Sequence, residues 1–252
     1  MSELQISPQN PIENRLLTAL PTQEYQRLVP YLERVSLSVK QSIYEVGEPI
    51  EYVYFPNQGL ISIVTAMEDG SVIEVGLVGK EGMVGIPVFL GGISTCSYAF
   101  VQAAGNAMRM KASRLKAEFN RSGQLQNLLL RYTQALFTQV SQSVACNRFH
   151  TVEERLARWL LIARDSLESD SFLLTHEIIS QMLGTRRAGV TVAAGILSHA
   201  GIIRYSRGQI TILKPEDLEA TSCECYRVSK NEFARLLGTE HALDAVASPL
   251  FC

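Results

Sequence analysis

Two adjacent arginines, Arg186 and Arg187, stand near the front of the stretch GTRRAGVTVAAG, which carries no other charge. The planar fork of arginine matches the two acceptors on the major-groove edge of guanine, and arginine also binds phosphate. At the start of a helix, both side chains would lie where a DNA-binding helix reaches the bases. They could equally be solvated charges at the exposed start of a core helix. The surrounding elements decide between these interpretations.

The residues on either side predict a helix-turn-helix followed by a β-hairpin. Thr175 is placed to cap a first helix, and Gly184 can supply the left-handed backbone of a tight turn. The runs GIIRYS and GQITIL, on either side of Arg207-Gly208, predict the hairpin. In the second helix the predicted inward positions are Val190, Ala194 and Leu197, and the predicted outward positions are Arg187, Ala188, Thr191 and Val192. This order is typical of a winged helix-turn-helix.

The predicted DNA contacts come from the cap, the turn, the second helix and the hairpin. They are Thr175, His176, Gln181, Thr185, Arg186, Arg187, Thr191, Val192, Arg204 and Arg207. Arg187 is the predicted base contact, whereas hairpin arginines would meet phosphate and add affinity without sequence information. Few polar groups follow the arginines, so Thr191 and Val192 would contact thymine methyl groups and DNA shape would supply further discrimination.

The cysteines form the other chemically reactive set. Their number is odd and their spacing shows no paired zinc motif; they are Cys96, Cys146, Cys223, Cys225 and Cys252. The segment Cys223-Glu224-Cys225 is compatible with a redox pair or half of a metal site, but inert reduced thiols are the favoured interpretation. The first histidine is His150, so the strands lack the usual histidine ligands of a metal-dependent β-roll enzyme. We therefore predict no metal, no cofactor and no catalytic residue.

Composition predicts a folded chain of about two domains. The 252 residues are 46% hydrophobic and 19% charged, and no run approaches the roughly 18 apolar residues of a membrane span. Met1 to Gln9 lacks an apolar signal core, so a cytoplasmic protein without membrane contact is expected. The net charge is −2, yet residues 171–214 hold five basic side chains and one acidic one. That local surplus is a modest electrostatic footprint for a polyanion.

Three kinds of element precede the helix-turn-helix. Residues 11–34 predict two short helices, and residues 35–112 predict the many short strands of a β-roll. Gln124 to His150 predicts a long helix with one apolar seam, and Thr151 and Glu154 stand in capping-box register for the next helix. The seam residues are Leu125, Leu129, Tyr132, Leu136, Val140 and Val144. The seam either packs on its own roll or forms a dimer, and the dimer is favoured because the roll leaves no obvious partner for it.

The predicted fold class is α+β, with an N-terminal jelly-roll β-roll, a long dimerisation helix and a C-terminal winged helix-turn-helix. The predicted boundaries are residues 1–120 for the N-terminal helices and roll, 121–150 for the dimerisation helix, 151–214 for the winged helix-turn-helix and 215–252 for an extension. The extension is acidic and contains a short EFARLL helix, and no task is assigned to it.

This arrangement resembles the cyclic-AMP receptor protein/FNR family of bacterial transcription regulators, most strongly in LTHEIISQMLGTRRAGV. The resemblance covers about Leu16 to Leu213 and implies a homodimer with two recognition helices in successive major grooves. By position, Arg187 looks like the family's guanine-contacting arginine and Thr175 like its phosphate-contacting cap. Gln181 and Gly184 look like its turn residues.

The chain departs from the family pattern at two base-contacting positions. Ala188 and Val192 stand where the best-known member has a glutamate and a second arginine, so a different operator is expected.

The family's cyclic-nucleotide site is altered further. Family members that bind cyclic nucleotides carry a glutamate for the ribose and an arginine for the phosphate, whereas Gly82 to Met108 contains no charged side chain. Ile86 stands about where the glutamate should be, and Cys96 or Ser97 about where the arginine should be. A buried phosphate would lack its charge-assisted bonds, so cyclic-nucleotide binding is not expected. Backbone N–H groups could still cradle an anion. The remaining candidate ligand contacts of the roll are Gly82, Gly91, Gly92 and Ser97.

The predicted function is a homodimeric, sequence-specific transcription regulator that binds double-stranded DNA and does not bind a cyclic nucleotide. RNA polymerase is a further candidate partner, and the effector is unidentified. The chain has no N-terminal cysteine cluster for an iron–sulfur centre like that of the oxygen-sensing members. Two alternatives remain open: a regulator whose roll senses another small molecule, and a β-roll interaction module that does not bind DNA.

Overall fold

The structure is a computed structural model that describes residues 13–238. The predictions made for Met1 to Gln9 and for Cys252 lie outside the described residues. The helices are α1 (Arg15–Thr18), α2 (Thr22–Leu28), α3 (Pro87–Leu90), α4 (Ala112–Phe119), α5 (Gln124–Phe149), α6 (Val152–Leu167), α7 (His176–Leu183), α8 (Arg187–His199), α9 (Pro215–Thr221) and α10 (Cys225–Leu237). The strands are β1 (Glu33–Leu37), β2 (Ser42–Tyr44), β3 (Tyr52–Ala66), β4 (Val72–Val78), β5 (Tyr98–Lys111), β6 (Ser171–Leu173), β7 (Ile203–Ser206) and β8 (Gln209–Ile212).

The β-roll is an antiparallel sheet in the order β1-β5-β3-β4, and β2 also pairs with β5. The long strands β3 and β5 pair from Tyr52 opposite Lys111 to Val64 opposite Tyr98. Register shifts near Gln58 bend this pair, as β-bulges do. The buried residues of the roll form one core with α1, α4 and the first half of α5. The expected α+β class and order of elements are confirmed.

Helix α5 packs against its own roll, and this corrects the predicted dimer interface. Four of the six seam residues are at most 4% exposed within the chain, namely Leu125, Leu129, Tyr132 and Leu136. The Tyr132 hydroxyl donates to the Met83 carbonyl at 2.9 Å. Val140 is half-buried and Val144 is 69% exposed. The dimer assignment is wrong for the four buried residues, because the roll core already encloses them.

The C-terminal elements form a second core. Helix α6 begins with the predicted capping box: the N–H of Glu154 donates to Thr151 Oγ1 at 3.3 Å, and the N–H of Thr151 donates to Glu154 Oε2 at 2.7 Å. A small sheet in the order β6-β8-β7 shares this core with α6, α7 and α8, and its short strand β6 is not among the elements that the sequence predicts. Leu60, Val64 and Leu77 of the roll belong to the same core, so the two parts are packed together.

The described part of the extension, residues 215–238, packs against the helices α5 and α6. Helix α9 packs on α6, and α10 packs on both α5 and α6. The predicted EFARLL helix is the last part of the longer α10. Within residues 13–238, no helix combines the length and the apolar character needed to cross a membrane.

Candidate nucleic-acid interface

The turn between α7 and α8 forms as its sequence predicts. The Thr175 hydroxyl accepts the N–H of Ile178 at 3.3 Å, which caps α7. Gly184 ends the helix with φ +55° and ψ +45°, a left-handed conformation that favours glycine. A Cβ on Gly184 would also lie 2.6 Å from Cδ1 of Ile73 in β4. Both constraints keep this turn tight and hold it against the roll.

Helix α8 has the two faces predicted for a recognition helix. Val190, Ala194 and Leu197 are at most 2% exposed and pack in the C-terminal core. The opposite face is exposed and consists of Arg187, Ala188, Thr191 and Val192. Arg186 is the N-cap residue and is also exposed. The arginines therefore stand at the N-terminus of α8, followed by small and apolar side chains on the same exposed face.

His176 links the recognition helix to the hairpin. Its ring stacks on Tyr205 at 4.3 Å between centroids, and its Nδ1 lies 3.0 Å from the Thr191 hydroxyl. That hydroxyl donates to the Arg187 carbonyl at 3.1 Å, so Nδ1–H is the donor to Thr191. Burial and then the charge of Arg187 lower the pKa of His176, which favours the neutral ring. The predicted DNA contact His176 thus fixes the positions of its neighbours.

The β7–β8 hairpin brings its tip to the start of α7. Arg207 and Gly208 both have positive φ, +50° and +79°, as in the two-residue turns that suit β-hairpins. The N–H of Leu174 donates to the Gly208 carbonyl at 2.7 Å, which holds the tip beside Thr175. Arg204 is exposed on β7. The cap of α7 and the hairpin tip are therefore neighbours on one side of the domain.

The arginines of this surface are available for an anion. Arg186, Arg187, Arg204 and Arg207 are exposed, and among residues 13–238 none of them forms a salt bridge with a carboxylate. Gln181 is exposed and Thr185 is half-buried at the turn between α7 and α8. We call the exposed side of α8, the start of α7 and the hairpin arginines the recognition face.

The candidate ligand contacts of the roll are occupied by the chain itself. The N–H groups of Gly91 and Gly92, which could have cradled an anion, both donate to the Pro87 carbonyl instead. Gly82 is buried, and a Cβ there would lie 2.5 Å from the Tyr132 hydroxyl oxygen. The Ser97 hydroxyl lies 3.2 Å from that of Thr65. The groups singled out in the sequence are thus committed to internal contacts.

Three of the cysteines are not scattered in space. Cys146 near the end of α5, Cys223 just before α10 and Cys225 at its first residue are buried together beside His150. The neighbouring thiols, and then Arg158 and Arg155, lower the pKa of Cys146. Sequence reasoning missed this convergence because the packing of α10 on α5 creates it. The available signal was the spacing of Cys146 and His150, which are four residues apart at the end of the predicted long helix. Cys96 is exposed elsewhere.

Comparisons with known proteins agree with this arrangement. The cyclic nucleotide-binding domain family matches residues 34–122, and the Crp-like helix-turn-helix domain family matches residues 154–221. The global nitrogen regulator of a Nostoc species is 24% identical over 188 residues, which cover 71% of this chain and 84% of that protein. The global nitrogen regulator of a Synechocystis species is 23% identical over 185 residues, covering 69% and 82%.

Solved structures share the fold. A transcriptional regulator of the crp/fnr family from Eubacterium rectale has a TM-score of 0.65 at 18% identity, over 82% of this chain and 96% of that one. FixK2 from Bradyrhizobium japonicum has a TM-score of 0.63 at 20% identity, over 76% and 98%. With both family domains present in the expected order, the chain belongs to the Crp/Fnr family of transcription regulators, which are not enzymes, and carries its helix-turn-helix DNA-binding domain.

Proposed function

We propose that the chain acts as a homodimer that binds a specific double-stranded DNA sequence through the recognition face, and that its β-roll does not bind a cyclic nucleotide. The observation that carries this proposal is a set of four exposed arginines, two at the start of α8 and two on the hairpin, that form no salt bridge with any carboxylate of residues 13–238. Positive side chains around a helix N-terminus are suited to the phosphates and base edges of a major groove.

The residues of the recognition face are proposed to contact different parts of the DNA. Arg187 is positioned to contact guanine, while Arg186, Arg204 and Arg207 supply phosphate contacts that fix the docking register. Thr191 and Val192 present methyl groups to thymine. The remaining proposed contacts are Thr175 at the N-terminus of α7, His176, Gln181 and Thr185.

The proposed dimer uses the face of α5 that points away from the roll. Leu130, Phe137 and Val144 recur every seven residues and are 46%, 70% and 69% exposed. Such a spacing lines up along one side of a helix and suits pairing with the same helix of a second copy. We call these three residues the outward seam. Val144 alone is shared with the seam expected from the sequence, and Val140 lies half-buried beside it.

The roll lacks the charged residues that hold a cyclic nucleotide in the family. Gly82 to Met108 contains no charged side chain, and the N–H groups of Gly91 and Gly92 are already paired with Pro87. A phosphate there would lose solvation without gaining a charge-assisted bond. We propose that this part of the roll serves for structure and for packing against the DNA-binding domain.

The proposal also sets the chain's location and partners. A regulator that binds DNA would act in the cytoplasm, and RNA polymerase is the further partner that a transcription regulator implies. Residues 1–120, 121–150, 151–214 and 215–252 are proposed as the roll, the dimer helix, the DNA-binding domain and the extension.

The test is selection and sequencing of DNA fragments bound by the purified chain, followed by fluorescence anisotropy across a salt series. We expect a preferred pseudo-palindrome and binding that weakens steeply with salt, because each phosphate contact releases a counterion. Addition of cyclic AMP should leave the anisotropy curve unchanged. Absence of binding even at low salt would contradict the DNA-binding proposal, and a shift with cyclic AMP would contradict the proposal for the roll.

A further inference from the structure

We propose that Cys146, His150, Cys223 and Cys225 bind one zinc ion in a closed tetrahedral site that fastens the C-terminal extension to the junction of α5 and α6. We call these four residues the junction cluster. The inference goes beyond the proposed function, because it concerns metal binding in the interior and does not depend on whether the recognition face binds DNA.

The distances in the junction cluster fit a single metal ion. Cys146 Sγ lies 3.5 Å from Cys223 Sγ, and Cys225 Sγ lies 3.7 Å from His150 Nδ1. All four ligand atoms lie within 4.8 Å of one another. With Zn–S near 2.3 Å and Zn–N near 2.0 Å, a tetrahedron separates its ligand atoms by about 3.5–3.8 Å. The ligand set Cys₃His is one that structural zinc sites use.

The histidine is held in the orientation that a metal ligand requires. Its Nδ1 faces Cys225, while its Nε2 lies 3.2 Å from Oε2 of Glu224. A proton on Nε2 therefore has a carboxylate acceptor, and Nδ1 is left with the lone pair that binds metal. Metal-bound histidines commonly have such a carboxylate partner on the other nitrogen.

The surroundings suit the charge of the loaded site. On binding, the three thiols release their protons to solvent, and zinc with three thiolates and a neutral imidazole carries one net negative charge. Arg155 and Arg158 are buried, at 7% and 6% exposure, and their charges act on Cys146. Among the described residues, the Nε atoms of both arginines have no hydrogen-bond partner. Two buried cations beside three thiols offset that negative charge.

The spacing favours one metal over the other uses of thiols. An iron–sulfur cluster holds its cysteines around a larger core of iron and sulfide, so its ligand atoms stand farther apart than in this cluster. A disulfide would use two of the three thiols and leave the third thiol and the oriented histidine unexplained. Zinc uses all four ligand atoms, which fill a tetrahedral coordination shell and leave no open position for catalysis.

The site would connect three elements. Cys146 lies in the last turn of α5 and His150 is its C-cap residue, directly before α6 begins at Val152. Of the other two ligands, Cys223 precedes α10 and Cys225 begins it. Arg155, beside the cluster, also donates to the Leu183 carbonyl at the end of α7. A metal here would therefore hold the dimer helix, the extension and the helix-turn-helix in one arrangement.

The first experiment measures metal in the full-length wild-type chain. We expect one zinc ion per chain after gel filtration, and reconstitution of the reduced apo-protein with Co²⁺ should give the intense visible bands of tetrahedral cobalt and a thiolate charge-transfer band. This readout needs no variant and no DNA. Zinc-free protein that also gives only octahedral cobalt spectra would overturn the proposal. So would an iron–sulfur chromophore, or a Cys146–Cys223 disulfide in the freshly purified chain.

Variants then test the ligands. Cys146→Ser and Cys225→Ser should lose zinc, whereas Cys96→Ser, which changes an exposed thiol outside the cluster, should keep it. Because a ligand variant can unfold, Glu224→Gln offers a milder test: its side chain is 61% exposed, and its loss should weaken zinc binding about tenfold. Glu219→Gln makes the same change at an exposed position of α9 and is the matched control. Equal zinc affinity in Glu224→Gln and the wild type would contradict the assigned role of Glu224 in orienting His150.

Discussion

The two faces of α5 carry similar apolar patterns but differ in burial. Leu125, Leu129, Tyr132 and Leu136 point into the roll and are at most 4% exposed. Leu130, Phe137 and Val144, the outward seam, lie on a separate side of the helix and are 46–70% exposed. Spacing by three, four or seven residues defines a stripe on a helix but does not say what covers it. Burial decides which stripe stabilises the fold and which is free for a partner.

The largest effect is expected from a substitution on the inward face of α5, measured as a loss of unfolding free energy. Leu129→Ala should lower the free energy of unfolding by about 2–5 kcal/mol, because it leaves a cavity in a fully buried site. Leu90→Ala is the matched control: it makes the same truncation at a 53% exposed position of α3, outside the proposed dimer seam. Denaturant titration at one fixed protein concentration checks both. Equal losses in the two variants would mean that the inward face of α5 is no more buried than the surface.

A substitution in the outward seam should instead weaken the proposed dimer. Phe137→Glu places a charge in the middle of the proposed seam of both copies, and we expect it to weaken dimerisation by about 2–4 kcal/mol. Sedimentation equilibrium measures the change. Arg131→Glu introduces the same residue at an exposed position off the seam and should leave the dimer intact. A Phe137→Glu chain that dimerises like the wild type would exclude this face as the interface.

The sequence predicts the recognition face better than the interior, and the reason is physical. The cap at Thr175, the turn at Gly184 and the faces of α8 depend on residues close together in the chain, whose periodicity and backbone preferences act locally. The direction of the α5 seam depends on the roll and on α10. The junction cluster joins Cys146 to Cys223, which are 77 residues apart. Strand β6 has three residues, too few for an alternating pattern, and forms because β8 pairs with it.

In the DNA-binding domain, too, a substitution at an exposed residue should change binding and leave the stability of the fold unchanged. Arg187→Ala should leave unfolding unchanged, but it should cost about 1–3 kcal/mol on the selected DNA and relax preference at one base pair. Arg207→Asn is the comparison, since asparagine tolerates the positive φ of +50° at this position. It should weaken binding to selected and random DNA alike. Anisotropy on both DNAs separates the outcomes, and equal losses for Arg187→Ala would refute base contact.

The smallest effect is a pH dependence of stability caused by Glu74, which lies where the roll packs against the DNA-binding domain. Glu74 of β4 accepts the indole N–H of Trp159 at 2.7 Å and the Ser62 hydroxyl at 2.6 Å. Desolvation raises the pKa of Glu74 to about 7, against the lowering effect of these hydrogen bonds and of Arg158. The folded state therefore binds this proton more tightly than the unfolded state, whose pKa is 4.5.

Because the pKa of Glu74 is higher in the folded state than in the unfolded state, the free energy of unfolding falls as the pH rises. The stabilising contribution of protonated Glu74 is fully present below about pH 4.5 and is lost as the pH rises through about 7, a change of about 1–2 kcal/mol after allowance for partial solvation. Glu74→Gln keeps a neutral side chain at every pH, so the variant should gain stability relative to the wild type across that window and keep the gain above it. Subtracting the two denaturant-derived pH profiles removes the titration of all other groups. A stability difference that stays constant with pH would show that Glu74 titrates as an exposed carboxylate. The contact between Glu74 and Trp159 would then be solvated, like the outward face of α5.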